Sequence, residues 1–251
     1  MVIAIVTGAS SGLGREYALA LKKRYPQIEE YWLIARRRER LEQVGKALGR
    51  PYRALTMDLT QEESLETLRA LLSKEQPQVQ CLINNSGYGR LGDFIDMPMA
   101  DTGGMVRLNC VALTEVASLV LPYIPQGGVM INVSSIAAFV PNPRMAVYSS
   151  TKAYVLSLSK ALRFEMKKRG VNVLAVCPAP MDTEFLDVAG ITGHSKTFDL
   201  LPRVNPRRVA ERSLIAAGKG RAVYTDKLFY KFYRLLGKLL PHNWLMPAAK
   251  C

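Results

Sequence analysis

Tyr148 and Lys152 stand four residues apart in YSSTK, ahead of the apolar-periodic segment AYVLSLSKALRFEM. Side chains four apart on a helix share a face and touch. A phenol beside an ammonium can move protons. A tyrosine ordinarily titrates near about 10, too high for acid–base work at neutrality. Bringing it to about 7 takes roughly 4 kcal/mol in favour of the phenolate. A unit charge about 4 Å away, at an effective dielectric near 20, supplies about that much. If the pair faces a cleft, Lys152 is expected to lower the Tyr148 pKa. If it faces solvent, it is an ordinary helix pair.

Such a pair needs a frame. Short β-branched runs alternate with longer stretches of helical period along the chain. VIAIVT, EYWLIA, YRALTMDL, VQCLINN, GGVMINVSS and VNVLAVCP read as strands, with RAVYT a weaker seventh. Between them GREYALALKKRY, RRERLEQVGKAL, EESLETLRALLSK, a segment around Asn109 to Leu121 and the one beginning at Tyr148 read as helices. Strands separated by helices imply right-handed βαβ units and a parallel sheet covered on both faces. The expected fold class is α/β: a doubly wound, Rossmann-type parallel sheet of about seven strands flanked by helices, in one domain over residues 1–251. Functional residues are expected just after strands, near the point where strand order reverses.

After the first strand, TGASSGLGREYA places Gly8, Gly12 and Gly14 in the turn into a helix. Glycines let the backbone come close to a phosphate, and the helix N-terminus offers free N–H groups and a partial positive charge. The spacing is GxxxGxG rather than GxGxxG. The second strand ends in Ala35, Arg36 and Arg37, where NAD-binding sheets usually carry an acid for the ribose 2′-OH. A guanidinium grips a 2′-phosphate that a carboxylate would repel. The expected cofactor is therefore NADP(H). Asp58, after the third strand, has two readings: acceptor for the adenine amino group, or cap for the next helix.

These pieces resemble the short-chain dehydrogenase/reductase family, in its single-domain branch. The matching motifs are TGASSGLG, NNSG at 84–87, Asn109, NVSS at 132–135, YSSTK, and CPAPMDT at 177–183. They keep the family's order and spacing over roughly the first 185 residues. The resemblance implies a catalytic set of Asn109, Ser135, Tyr148 and Lys152. Tyr148 would pass a proton to or from the substrate oxygen, and Lys152 would also hold the nicotinamide ribose. Ser135 would orient the substrate, with Ser134 its neighbouring alternative, and Asn109 would hold a water near the lysine. The same resemblance gives a cofactor set of Gly8, Ser10, Ser11, Gly12, Leu13, Gly14, Arg36, Arg37, Asp58, Leu59, Asn85, Tyr148, Lys152, Pro178 and Thr183. Three departures stand out: Ser86 for Ala, Thr151 for Ser, and Ala179 for Gly, the last able to change how its loop bends.

The implied activity is interconversion of a ketone and a secondary alcohol. Residues 185–205 are the expected substrate loop. With Phe94, Phe139 and Phe185 they could line a pocket for a steroid or an acyl chain, or these aromatics could be plain core. A homodimer or homotetramer and a small-molecule carbonyl or alcohol substrate are the implied partners. The alternative function is a catalytically idle NADP(H)-sensing regulator that binds a partner or membrane through its basic C-terminus.

That C-terminus is distinctive. The net charge is +13, and residues 196–251 hold twelve Lys or Arg against three acids. In residues 225–251, Leu228, Phe232, Leu235, Leu236 and Leu239 share one helical face, and Lys227, Lys231, Arg234 and Lys238 another. Such a helix with a nearby Trp244 can lie in a membrane interface, or dock on the core, a partner or the pocket as a lid. Two scattered histidines suggest no metal site. No nucleic-acid module is recognisable. Four dispersed cysteines, Cys81, Cys110, Cys177 and Cys251, fit buried thiols in a reducing, cytoplasmic setting. No signal peptide and no uninterrupted apolar span are expected.

Overall fold

The computed structural model describes residues 1–191 and 201–250. Seven strands form one sheet: β1 Val2–Thr7, β2 Glu30–Ala35, β3 Tyr52–Thr56, β4 Gln78–Asn84, β5 Val129–Val133, β6 Asn172–Val176 and β7 Val223–Tyr224. Every pairing is parallel, in the order β3-β2-β1-β4-β5-β6-β7. The order reverses between β1 and β4, so a crevice opens beyond their carboxyl ends. β1, with the burial of a fully covered strand, sends Ala4 and Val6 to one core and Ile3 and Ile5 to the other.

The helices that cover these faces are α1 Gly12–Arg24, α2 Arg38–Leu48, α3 Glu62–Glu75, α4 Met99–Val106, α5 Leu113–Val120 and α6 Ala146–Met166. They are followed by α7 Glu184–Val188, α8 Pro206–Gly218, α9 Leu228–Leu239 and α10 His242–Ala249. The expected strands match: β1 and β2 residue for residue, β4 shifted by one residue, and the others with shorter ends. YRALTMDL leaves the sheet at Thr56, and RAVYT contributes only Val223 and Tyr224. α8 was not anticipated, although Asn205 followed by Pro206 is a start signal: the Asn205 side chain accepts from Arg208 N at 3.1 Å. This helix is pinned to α1 through Tyr17 and Ser213, whose hydroxyls lie 2.6 Å apart.

The expected middle helix starts earlier than Asn109. α4 and α5 form one run, Met99–Tyr123, through a wide π turn at Arg107–Ala112. Contrary to the expectation from uninterrupted runs, this 25-residue stretch is long and apolar enough by length and composition to cross a membrane. It buries Asn109, Ala112, Val116 and Val120 within this protein. A π turn shifts the helix register locally and is common at functional sites.

Candidate active site

β5 ends at Val133 and delivers two buried serines. Ser134 Oγ donates to the Lys152 carbonyl at 2.7 Å, so it serves helix α6. Ser135 opens a short 3₁₀ turn, accepting from Ala137 N at 3.2 Å, and draws the Tyr148 pKa down. α6 begins two residues before Tyr148, which puts Tyr148 and Lys152 on successive turns of one face. Both are buried. The Lys152 Nζ lies 5.7 Å from the Tyr148 ring centre and donates to the Val133 carbonyl at 2.9 Å.

The electrostatics differ from the expectation. Burial pushes the Tyr148 phenol up to about 12, against a downward pull from the Ser135 hydroxyl. Burial also pushes the Lys152 ammonium down to about 8. The lysine carries its own desolvation cost and points at a carbonyl, so it does not bring the phenol to neutrality by itself. At pH 7 the phenol is a protonated donor.

Asn109 is fully buried in the π turn. Its Nδ2 donates to the Tyr88 carbonyl at 2.8 Å and to Thr151 Oγ1 at 3.0 Å, while its Oδ1 accepts from Tyr88 N at 3.0 Å. Thr151, in place of the family's serine, thus locks Asn109 to α6. Gly87 sits between Asn109 and Lys152. A Cβ there would lie 2.8 Å from Asn109 Oδ1 and 3.3 Å from Lys152 Nζ. Gly87→Ala should therefore lower kcat about 10- to 100-fold by displacing one of these groups, with the Kd for NADPH changed less. Steady-state rates beside NADPH fluorescence titration check this; an unchanged kcat would show that the gap is not used.

One cleft of about 930 Å³ runs along the carboxyl ends of the strands. It is bordered by Gly8, Ser10, Ser11, Gly12, Leu13, Arg36, Arg37, Asp58, Leu59, Asn85, Ser135, Tyr148, Lys152, Pro178 and Thr183. Of the expected set, Gly14 and Asn109 lie just behind this wall. Gly14 packs on the turn so closely that a Cβ would overlap the Gly8 carbonyl. Gly8 adopts φ +64° and Gly12 φ +51°, backbone that favours glycine. The α1 N-terminus has no side-chain cap and no acid in its first turn, which leaves its N–H groups open to an anion.

At the adenosine end, Arg36 lines the cleft and has no hydrogen-bond or ion-pair partner among the described residues. Arg37 is different from the expectation. Its Nη2 donates to Ser10 Oγ at 3.2 Å, Ser11 Oγ at 2.9 Å and Glu184 Oε2 at 2.8 Å, so it is already occupied. Arg37 holds Glu184 below the usual carboxylate range. Asp58 does not cap α3, whose N-cap is Gln61; its Oδ1 accepts from Thr60 N at 3.0 Å and Thr60 Oγ1 at 2.7 Å. Asn85 braces the glycine turn, its Nδ2 donating to the Thr7 carbonyl at 3.1 Å. Thr7 Oγ1 accepts from Asn85 N at 2.9 Å and Ser86 N at 3.0 Å. Thr7, Gly87 and Glu184 are not among the expected site residues, although the first two lie inside quoted motifs, and Thr151 stands out in the sequence only as a departure from serine. Ala179 has no positive φ and is accommodated without strain.

At the other end Met145, Phe185 and Leu186 pack around Tyr148, and Phe229 and Tyr233 line the same cleft. Phe185 meets the Tyr148 ring at 5.6 Å. Of the three expected aromatics it alone lines this cleft. Phe139 is buried against Tyr233, and Phe94 is exposed beside a separate hollow. Residues 192–200 of the expected substrate loop lie outside the described residues. Cys81 and Cys177 are buried and Cys110 is half-buried, all as free thiols; Cys251 lies outside the described residues.

A glycine-turned crevice at the strand-order switch, ending at a buried serine, tyrosine and lysine, defines a dinucleotide-dependent oxidoreductase of the α/β class. The chain belongs to the short-chain dehydrogenase family, whose model matches residues 2–190. It is 32% identical over 208 residues to serine 3-dehydrogenase of Agrobacterium fabrum, covering 80% of this chain and 81% of that one. Among solved structures it is similar to a short-chain dehydrogenase from Sphingobium yanoikuyae in complex with NADPH. That match has a TM-score of 0.82 and 29% identity, covering 98% of this chain and 96% of the other. It is also similar to the bulky-bulky ketone specific alcohol dehydrogenase from Comamonas testosteroni, with a TM-score of 0.77 and 26% identity, covering 98% and 94%.

Proposed function

We propose that this chain is an NADP(H)-dependent oxidoreductase that interconverts a bulky apolar ketone, such as a steroid or an acyl-chain ketone, and its secondary alcohol. The reading rests on one observation: Ser135, Tyr148 and Lys152 are buried together in the wall of the cleft, Ser135 drawing the phenol pKa down and Lys152 5.7 Å from its ring centre. The apolar lining of Met145, Phe185, Leu186, Phe229 and Tyr233 suits an apolar substrate, in keeping with the named specificity of the Comamonas relative.

The open α1 N-terminus fits a pyrophosphate and Arg36 fits a 2′-phosphate, so the residues present suit NADP(H). When bound, the nicotinamide supplies hydride to the carbonyl carbon or accepts it from the alcohol. Tyr148 donates its phenolic proton to the carbonyl oxygen in reduction and takes it back in oxidation. Ser135 donates a hydrogen bond to the same oxygen and orients it. Lys152 stabilises the phenolate left behind and would hold the ribose hydroxyls of the bound cofactor. A water between Asn109 and Lys152 returns the proton from solvent. Leu13, Leu59, Asn85, Pro178 and Thr183 shape the cofactor's path.

Arg36→Asp should lower the ratio of kcat/KM for NADPH over NADH at least about 100-fold. It removes a charge-assisted pair and adds repulsion. Nicotinamide absorbance with both cofactors measures the ratio; an unchanged ratio would place the 2′-phosphate elsewhere.

The same reading takes residues 1–251 as one Rossmann-type domain, with 185–205 as the substrate loop and 225–251 as a C-terminal extension. Val106, Val111, Tyr154 and Phe164 are exposed apolar side chains on the outer faces of α4 to α6, and they suit a homodimer or homotetramer. The free, covered thiols suit a cytoplasmic setting. The amphipathic α9 adds a peripheral membrane contact.

A further inference from the structure

We infer that α9 and α10 lie on an anionic lipid surface and form a portal through which a membrane-dissolved carbonyl substrate enters the cleft. This deepens the ketone reading and rests on it for the substrate.

The inner face of α9 is pinned to the protein. Tyr230 is buried and donates to the Pro202 carbonyl at 2.8 Å. Tyr233 meets Phe139 at 6.2 Å. Gly237 approaches so closely that a Cβ would lie 2.6 Å from the Phe139 carbonyl. The helix therefore cannot roll to hide its outer face. That face carries Leu228, Phe232, Leu235 and Leu239, exposed by 80%, 59%, 49% and 70%. Their i, i+4, i+7, i+11 spacing makes one continuous stripe. Trp244, on α10, is 71% exposed. An apolar stripe of this size costs free energy in water and signals a partner surface.

The charges say which partner. Lys227, Lys231, Arg234 and Lys238 flank the stripe, and among the described residues none has a carboxylate partner. Lys160 of α6 joins them: its ammonium is pushed down by burial and then by Lys238 and Arg234. A second copy docked stripe to stripe would set these cations against their own likeness. An anionic lipid surface meets both features at once, taking the apolar side chains among acyl chains and the cations among headgroups.

The same helices border the cleft. Phe229, Tyr230 and Tyr233 of α9 and Ala248 and Ala249 of α10 line it. Asn142 Nδ2 donates to the Ala249 carbonyl at 3.0 Å, which ties α10 to the cleft wall. The lipid-facing stripe and the mouth of the site are thus two faces of one helix, and an apolar ketone can pass between them without crossing water.

The test compares the full chain with its Phe232→Asp/Leu235→Asp variant, since neither residue lines the cleft. Vesicles are phosphatidylcholine alone or with phosphatidylglycerol. The wild type should sediment with phosphatidylglycerol vesicles at least about tenfold more than with neutral ones, and the variant should lose about tenfold. With 2-decalone dissolved in the anionic vesicles, wild-type turnover should exceed the variant's by about tenfold. Cyclohexanone reduction in vesicle-free buffer should be equal for the two. Equal sedimentation of both forms, or equal decalone rates, overturns the portal. So does a wild-type dimer that the variant makes monomeric without any vesicle binding, which would give the stripe to a second copy. If neither form reduces cyclohexanone while sedimentation differs as expected, the ketone reading fails and the lipid contact stands.

Discussion

Tyr148→Phe is expected to lower kcat for ketone reduction by about 10³-fold or more, within the range that a positioned acid contributes. The Kd for NADPH should stay within about threefold, because the ring keeps its packing on Phe185 and only the hydroxyl is lost. The pH behaviour carries the same signature. With the phenol pushed up to about 12 by burial, the proton donor is fully present at neutrality. Reduction by the wild type should therefore be flat with pH up to about 8, where Lys152 begins to lose its charge. Alcohol oxidation needs the phenolate and should climb with pH through 7 to 9. Initial rates in both directions, with NADPH fluorescence titration of the variant, check these statements. Surviving turnover in Tyr148→Phe would move the acid elsewhere. A wild type that binds NADPH yet turns over no ketone or alcohol would favour the regulatory reading.

Lys152→Met should lower kcat about 10²- to 10⁴-fold and make the cofactor-free protein more stable at pH 7. The lysine titrates near 8 when folded, against an ordinary value of 10.5. Between those values the unfolded chain binds the extra proton, so folding stability rises with pH through this window. Below about 8 the buried ammonium is a standing cost of order 3 kcal/mol. The methionine removes that cost but leaves the Val133 carbonyl without its donor, a loss of about 1 kcal/mol. The net gain at pH 7 should be about 1–3 kcal/mol, a rise in Tm of several degrees for a chain of this length. It should shrink as pH approaches 10.5. Urea unfolding at pH 7 and pH 10 measures both ends. A variant less stable at pH 7 would mean that the ammonium is better solvated than its burial indicates. This is a stability cost retained at a working site.

Much of this was legible along the chain. Hydrophobic period set the seven strands, and the glycine turn, Ser135, Tyr148 and Lys152 sat where strands end. Such features are local: a strand's alternation and a helix's i to i+4 spacing are written in consecutive residues. The fates of individual polar groups were not local. Arg36 and Arg37 are adjacent and chemically alike, yet only the fold brings Glu184 to one of them and leaves the other without an ion-pair partner among the described residues. Asp58 turned to Thr60 rather than capping α3. Phe94, Phe139 and Phe185 went to three different surroundings.

The chain by itself determined the element types, their order, and which residue kinds stand at the strand ends, because these follow from short-range sterics and apolar periodicity. Only the tertiary structure decided the charge states of Tyr148 and Lys152 and which side of α9 meets the cleft. Desolvation and pairing depend on groups distant in sequence but packed within a few ångströms in space.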